Sequence, residues 1–188
     1  MLDWLSWGLA TSKEEPKFPE DLSEKLYRRL DLTPFLLFPY DYLGWKYSEG
    51  EGKWNPRAFY PTPHSICEMM TRMVLSDTSD PMPDGCDHRL QTVQDHCVGS
   101  GRFLLHAANF SLCLFGIDID ATCVAITKIN GALYAPWMTF PFPESITGMQ
   151  AGIEQGNSLT DPKAEPAPMK HSIHDHGQAC YLNFEFCR

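Results

Sequence analysis

Nowhere in the 188 residues does an apolar run approach the ~18 residues that a bilayer-spanning helix needs, so no membrane-crossing segment is expected. Basic residues are also scarce: 15 Lys and Arg stand against 24 Asp and Glu, a formal net charge of −9. That balance excludes a free-standing nucleic-acid binder with its own basic field, so any DNA contact must be local or shared. The opening Met1-Leu2-Asp3-Trp4-Leu5 carries no basic leader and reads poorly as a signal peptide. The seven cysteines have no regular spacing. Because Cys97, Cys113 and Cys123 lie inside apolar runs, they read as reduced, buried thiols of a cytoplasmic protein without a disulfide scaffold. No Gly-x-Ser-x-Gly, His-Glu-x-x-His or phosphate-loop lysine motif occurs, which leaves hydrolase and nucleotide-triphosphatase readings without an anchor. Proline is missing from Asp84 to Ala135, although the chain has 15 elsewhere.

The proline-free block holds the regular pattern. Leu90 to Val93 suggests a short strand, Arg102 to Phe110 a helix, Leu112 to Ile117 a buried strand and Ala121 to Leu133 a second helix. Strand, turn, helix, strand, helix is the order of a parallel α/β unit. Upstream, Leu22, Leu26 and Leu30 recur at helical spacing from Glu20, with Asp21 or Ser23 placed to cap. A further helix runs from His64 to Leu75, with Pro63 before it and Ile66, Met69, Met70, Met73 and Val74 as its packing face. Gly44 to Gly52, with Trp45, Tyr47 and Trp54 in or beside it, reads as an irregular loop. Residues beyond Tyr134 read as irregular until a terminal strand over Cys180 to Phe186.

The segment Asp95-His96-Cys97-Val98-Gly99-Ser100-Gly101 carries the most chemistry. An acid at a strand end followed by Gly-x-Gly opening a helix lets backbone pass close to a ligand and aims free N–H groups into one crevice, where a small anionic or polar cofactor fits. Asp118 and Asp120 close the next strand, where parallel-sheet geometry sets a carboxylate beside the same crevice to accept ribose hydroxyls. Asp120 is placed to cap the helix that follows. Cys97 has no base near it in sequence, so it reads as packing rather than as a nucleophile.

In order, these pieces resemble the N6-adenine DNA methyltransferases of bacterial restriction–modification systems. Ala58-Phe59-Tyr60-Pro61-Thr62-Pro63 is similar to the family's Phe-x-Thr-Pro motif, which closes over the methionine end of S-adenosylmethionine. Asp95 to Gly101 resembles its Asp-Pro-x-x-Gly-Ser-Gly turn, and Gly116-Ile117-Asp118-Ile119-Asp120 its ribose motif. Asn130-Gly131-Ala132-Leu133 is similar to the end of the next helix, and Gly156-Asn157-Ser158-Leu159 to the segment beside the cofactor's adenine ring. The resemblance spans Ala58 to Leu159. It implies S-adenosyl-L-methionine as cofactor, held by Phe59, Tyr60, Thr62, Pro63, Asp95, Cys97, Gly99, Ser100, Gly101, Asp118, Ile119 and Asn157.

Two departures, His96 for proline and Asp118 for glutamate, are compatible with that role. A third is an absence: the family's catalytic Asp/Asn-Pro-Pro-aromatic should follow Gly156 to Leu159 after another strand, and neither Asp161-Pro162-Lys163-Ala164 nor anything after it supplies one. No catalytic residue is therefore assigned. The implied fold is α/β, a Rossmann-like class I methyltransferase three-layer sandwich, truncated. Residues 1–58 form a helical and aromatic arm, 59–160 the cofactor-binding domain and 161–188 a loop with a terminal strand. The implied function is S-adenosylmethionine binding in an N6-adenine DNA methyltransferase-like protein of a restriction–modification system or mobile element. It would act on DNA with a partner protein or second subunit, or else serve as a catalytically inactive regulatory module. His171, His174 and His176, with Cys180 and Cys187, match no zinc-finger spacing, and no metal ligand is assigned.

Overall fold

The computed structural model describes residues 1–17, 19–49, 59–75, 88–143 and 151–160, and the backbone of 182–184. Its centre is a parallel sheet in the order β3-β2-β1-β4, formed by β1 (Thr92–Asp95), β2 (Cys113–Asp118), β3 (Gly152–Gln155) and β4 (Leu182–Phe184). β2 reads as one apolar run because its first five residues are all buried, as a central parallel strand requires. Chain order moves outward from β1 to β2 to β3 and then returns to β4 on the far side of β1. The strand order therefore reverses beside β1, and in open α/β sheets the crevice outside the carboxyl ends at such a point takes ligands. Register pairs Asp95 with Gly116 and Asp118 with Gln155, which brings the ends of β1 and β2 to the same sheet edge.

Eight α-helices complete the described residues: α1 (Leu2–Gly8), α2 (Glu20–Arg29), α3 (Thr33–Leu37), α4 (Tyr42–Ser48), α5 (His64–Leu75), α6 (Arg102–Ala107), α7 (Ala121–Tyr134) and α8 (Pro136–Thr139). The helix α7 packs on two fronts. Val124 joins the main core with Val93, Leu104, Leu114, Met138 and Ile153, while Ile129 meets Trp4 and Leu5 of α1 in a second cluster. The first residues are thus an amphipathic helix whose indole and leucine are buried on α7.

Several expectations need correction. Gly44 to Ser48 is helical, not a loop: Asp41 caps α4 by accepting the Gly44 N–H at 2.8 Å. Gly50 to Gly52 and Trp54 lie outside the described residues. The residue at the start of α2 is Pro19, and neither Asp21 nor Ser23 caps it; Ser23 Oγ instead accepts the Trp4 indole N–H at 2.9 Å. The bounds of α5 agree with expectation but its face does not. Cys67, Thr71 and Leu75 are buried, whereas Ile66, Met69 and Met73 are exposed. Apolar type identified the wrong stripe because the inward face carries a threonine whose hydroxyl is satisfied within the helix, by the Cys67 carbonyl at 2.6 Å. β1 starts two residues later than read, since His88–Leu90 is a 3₁₀ turn, and α6 stops at Ala107. α8 and β3 lie in sequence read as irregular, while β4 falls inside the expected terminal strand. Among the described residues no helix is long and apolar enough to cross a membrane.

Candidate functional site

Outside the carboxyl ends of β1 and β2 lies an open cleft of about 450 Å³, within the roughly 300–1,000 Å³ usual for small-molecule sites. Three segments wall it: residues 59–62 before α5, residues 95–103 of the turn into α6, and residues 118–120 at the end of β2. Of the residues expected to hold a cofactor, Phe59, Tyr60, Thr62, Asp95, Cys97, Gly99, Ser100, Asp118 and Ile119 line this cleft. Pro63 stands just outside, where its carbonyl accepts the Ile66 and Cys67 N–H groups of α5. Gly101 lies behind the wall at the start of α6, with φ +84°. Asn157 does not line the cleft; its side chain accepts the Leu159 N–H in a local turn after β3.

The turn is shaped by glycine and by Asp118. Gly99 sits at φ +55°, and a Cβ there would come within 2.9 Å of the Phe59 ring, so the aromatic can lie against the turn only over bare backbone. The Gly99 N–H donates to Asp118 Oδ2 at 2.9 Å, and the Asp120 N–H donates to Asp118 Oδ1 at 2.8 Å. The Gly99 carbonyl accepts the Thr127 hydroxyl at 2.7 Å, and the Gly101 N–H is held by the Val98 carbonyl. The expectation of free glycine N–H groups in the crevice is thereby corrected, because both are consumed within the protein.

Three carboxylates, Asp95, Asp118 and Asp120, line the cleft. Burial pushes the Asp95 carboxyl above the ordinary carboxylate value and the Asp118 charge adds to it, while the Cys97 N–H bond opposes. Asp120 caps α7 through the Thr122 N–H at 2.8 Å, as expected, and also accepts the Tyr47 hydroxyl at 2.9 Å. Burial, followed by that bond to Asp120, raises the Tyr47 phenol above its ordinary value. The site therefore has an acidic, not an anion-binding, character. It favours a ligand with a cationic end and hydroxyl donors.

Cys97 is another correction: it is exposed rather than buried, and disulfide-bonded rather than a free thiol. Cys113 and Cys123 are buried free thiols, as expected. Cys67, which sequence reading passed over, lies in the cleft wall, and burial pushes its thiol up to about 11. It is an inert wall group at neutral pH.

Sequence reading also missed what stands behind the turn. Asp41 is fully buried and accepts hydrogen bonds from Gly44 N, Ser100 Oγ, Arg102 Nε and Asn130 Nδ2. The only local signal was an acid three residues ahead of Gly44, in cap position for an aromatic-rich helix. His171, His174 and His176 lie outside the described residues, among which no group of three or more possible metal ligands occurs.

A family model described as N-6 DNA Methylase matches residues 39–175. No curated protein and no solved structure matches the chain.

Proposed function

The chain belongs to the N-6 DNA methylase family, and from that premise we propose that its cleft binds S-adenosylmethionine within a Rossmann-like methyltransferase domain. The observation that carries the reading is the acidic cleft at the ends of β1 and β2, where Asp95 and Asp118 face the space beside the glycine turn. The residues present fit the group. Asp118 has one backbone donor on each oxygen, which leaves lone pairs for ribose hydroxyls, and Asp95 adds a second carboxylate that suits a cationic amino-acid end. When bound, S-adenosylmethionine supplies an electrophilic methyl group on a positively charged sulfur. The chain's own part is to bind and orient it. Phe59 and the exposed Tyr60 cover one side, Thr62 and Pro63 set where that cover meets α5, and Gly99, Ser100 and Gly101 keep the backbone low. Cys97 and Ile119 form the rim, while Asn157, engaged in its own turn after β3, is left out of the set.

Methyl transfer to adenine also needs the base taken out of the stack and clamped. These 188 residues contain no Pro-Pro-aromatic. With a net charge of −9 the chain lacks the electrostatic compensation for engaging duplex DNA unaided. It therefore acts on DNA in the cytoplasm with a partner protein or second subunit, as part of a restriction–modification system or mobile element. The same missing clamp favours a second reading, a catalytically inactive module that binds cofactor and regulates a partner. Transfer of labelled methyl groups to mixed-sequence DNA, with and without source-cell lysate, separates the two: incorporation only with lysate supports the shared enzyme, and none in either supports the module.

Calorimetry tests the binding itself. A charge-assisted hydrogen bond contributes about 1.5–3 kcal/mol, so Asp118→Ala should weaken S-adenosylmethionine at least ~10-fold while circular dichroism shows the fold intact. Unchanged affinity in the folded variant overturns the assignment.

A further inference from the structure

The donors gathered on Asp41 come from separate parts of the chain. Gly44 N belongs to α4, Ser100 Oγ to the glycine turn, Arg102 Nε to the first residue of α6 and Asn130 Nδ2 to α7, at 2.8, 2.5, 2.7 and 2.8 Å. Two of these side chains reach further. Asn130 Nδ2 also donates to the Ser100 carbonyl at 2.9 Å, and Arg102 Nη1 donates to the Thr62 carbonyl at 3.1 Å. Ser100 and Arg102 flank Gly101, so one carboxylate holds the turn on both sides of this second left-handed glycine. Through the second arm of Arg102 it also holds the segment that faces the turn across the cleft. Asp41 itself is 0% exposed and does not line the cleft.

We propose that Asp41 is a positioning residue for the cleft: it fixes the Gly99-Ser100-Gly101 turn and, through Arg102, the Phe59–Thr62 wall in the geometry that receives the ligand. The proposal deepens the S-adenosylmethionine reading and rests on it for the identity of that ligand. Desolvation offsets much of the attraction in a buried ion pair, so apolar residues of similar volume can hold two elements together as well. What apolar packing cannot do is aim four donors at one point, and a site must be held to within a fraction of an ångström to bind its ligand in one pose. The helix α4 adds a second fastening to the opposite wall, through the Tyr47 hydroxyl on Asp120.

Removing Asp41 alone would leave Arg102 buried without its counter-charge, so the test uses Asp41→Asn combined with Arg102→Gln. This pair removes both charges at similar volume and keeps a good helix cap for α4. The readout is hydrogen–deuterium exchange in the ligand-free protein, with calorimetry on S-adenosylmethionine alongside. The expected result is at least ~10-fold faster exchange for amides 97–101 and 59–62, unchanged exchange in β2, and affinity reduced at least ~10-fold. Unchanged exchange at the turn in the folded double variant overturns the proposal. If the double variant does not fold, Ser100→Ala decides: faster exchange at the turn with β2 unchanged supports the proposal, and an unmoved turn overturns it. Should wild type fail to bind S-adenosylmethionine while the exchange pattern holds, the cofactor reading falls and the positioning of the turn by Asp41 is supported.

Discussion

The glycine turn lines the cleft and α4 stands behind its walls, and the two are held by different physics. In the turn, backbone groups meet backbone and nearby side chains: Gly99 N–H on Asp118, Gly101 N–H on Val98, Cys97 N–H on Asp95. At α4 the fastening is by buried side chains reaching far along the chain, from Asp41 to Ser100, Arg102 and Asn130 and from Tyr47 to Asp120. Away from Gly99 and Gly101, where a Cβ would collide, and from Ser100, which Asp41 holds, a turn made of backbone tolerates side-chain changes. A fully buried carboxylate with four donors tolerates far fewer, because removing it strips the buried Arg102 guanidinium of its counter-charge and Gly44 N and Ser100 Oγ of their acceptor.

That contrast breaks most visibly at Asp41. Asp41→Ala leaves the Arg102 guanidinium buried without a counter-charge, and the expected loss is about 3–5 kcal/mol in urea unfolding followed by far-UV circular dichroism. A loss comparable to that of an ordinary surface change would mean that the network is incidental. Gly44→Ala comes next. A Cβ there would lie 2.1 Å from Asp41 Oδ2 and 2.5 Å from Ser100, so overpacking should cost about 1–3 kcal/mol, although alanine is the better helix former. Thermal unfolding checks the sign, and stabilisation would show that helix propensity outweighs the close approach.

A subtler effect comes from acid. His64 Nδ1 and His106 Nε2 face each other at 3.1 Å between α5 and α6, with the Tyr40 ring and Arg102 beside them and Glu68 on α5. Burial holds both imidazoles below their ordinary value of 6.5. For His64, Arg102 and His106 add to this and Asp41 opposes it, while for His106 it is Glu68 that opposes. The fold prefers both neutral, so nothing is lost above 6.5, and stability declines as pH falls from there toward the lower folded values. Asp95 works the other way: its raised carboxyl gains stability as pH falls through its folded value toward the ordinary 3.8. The decline below 6.5 should shrink in His106→Gln, measured by thermal unfolding across pH, and an identical decline would assign it elsewhere.

The same contrast explains what could be read in the residues beforehand. The turn, the Asp118 carboxylate and the Asp120 cap were legible because their chemistry lies within a few positions of a strand end, where a motif can encode it. β2 and α7 were legible because burial on most sides writes an apolar run. Asp41 was not legible, since nothing near it announces Arg102 or Asn130 as partners. α4 was misread because Gly44 resembles a loop residue, whereas it is glycine to make room for the carboxylate and the turn. On α5 the apolar letters Ile66, Met69 and Met73 point outward, because two of the three inward positions are Cys67 and Thr71, which an apolar pattern passes over, and only Leu75 is a large apolar residue.

Whether the acidic cleft at the ends of β1 and β2 is the binding site is decided by titrating isotope-labelled wild-type protein with S-adenosylmethionine and following backbone amide resonances. Saturable changes are expected, largest at Gly99 to Gly101 and Asp118 to Asp120, with the α2 and α3 resonances unmoved. No binding, or saturable binding that instead moves Trp4, Leu26, Leu30 and Leu133 around the separate apolar cavity beneath α1, would contradict that assignment.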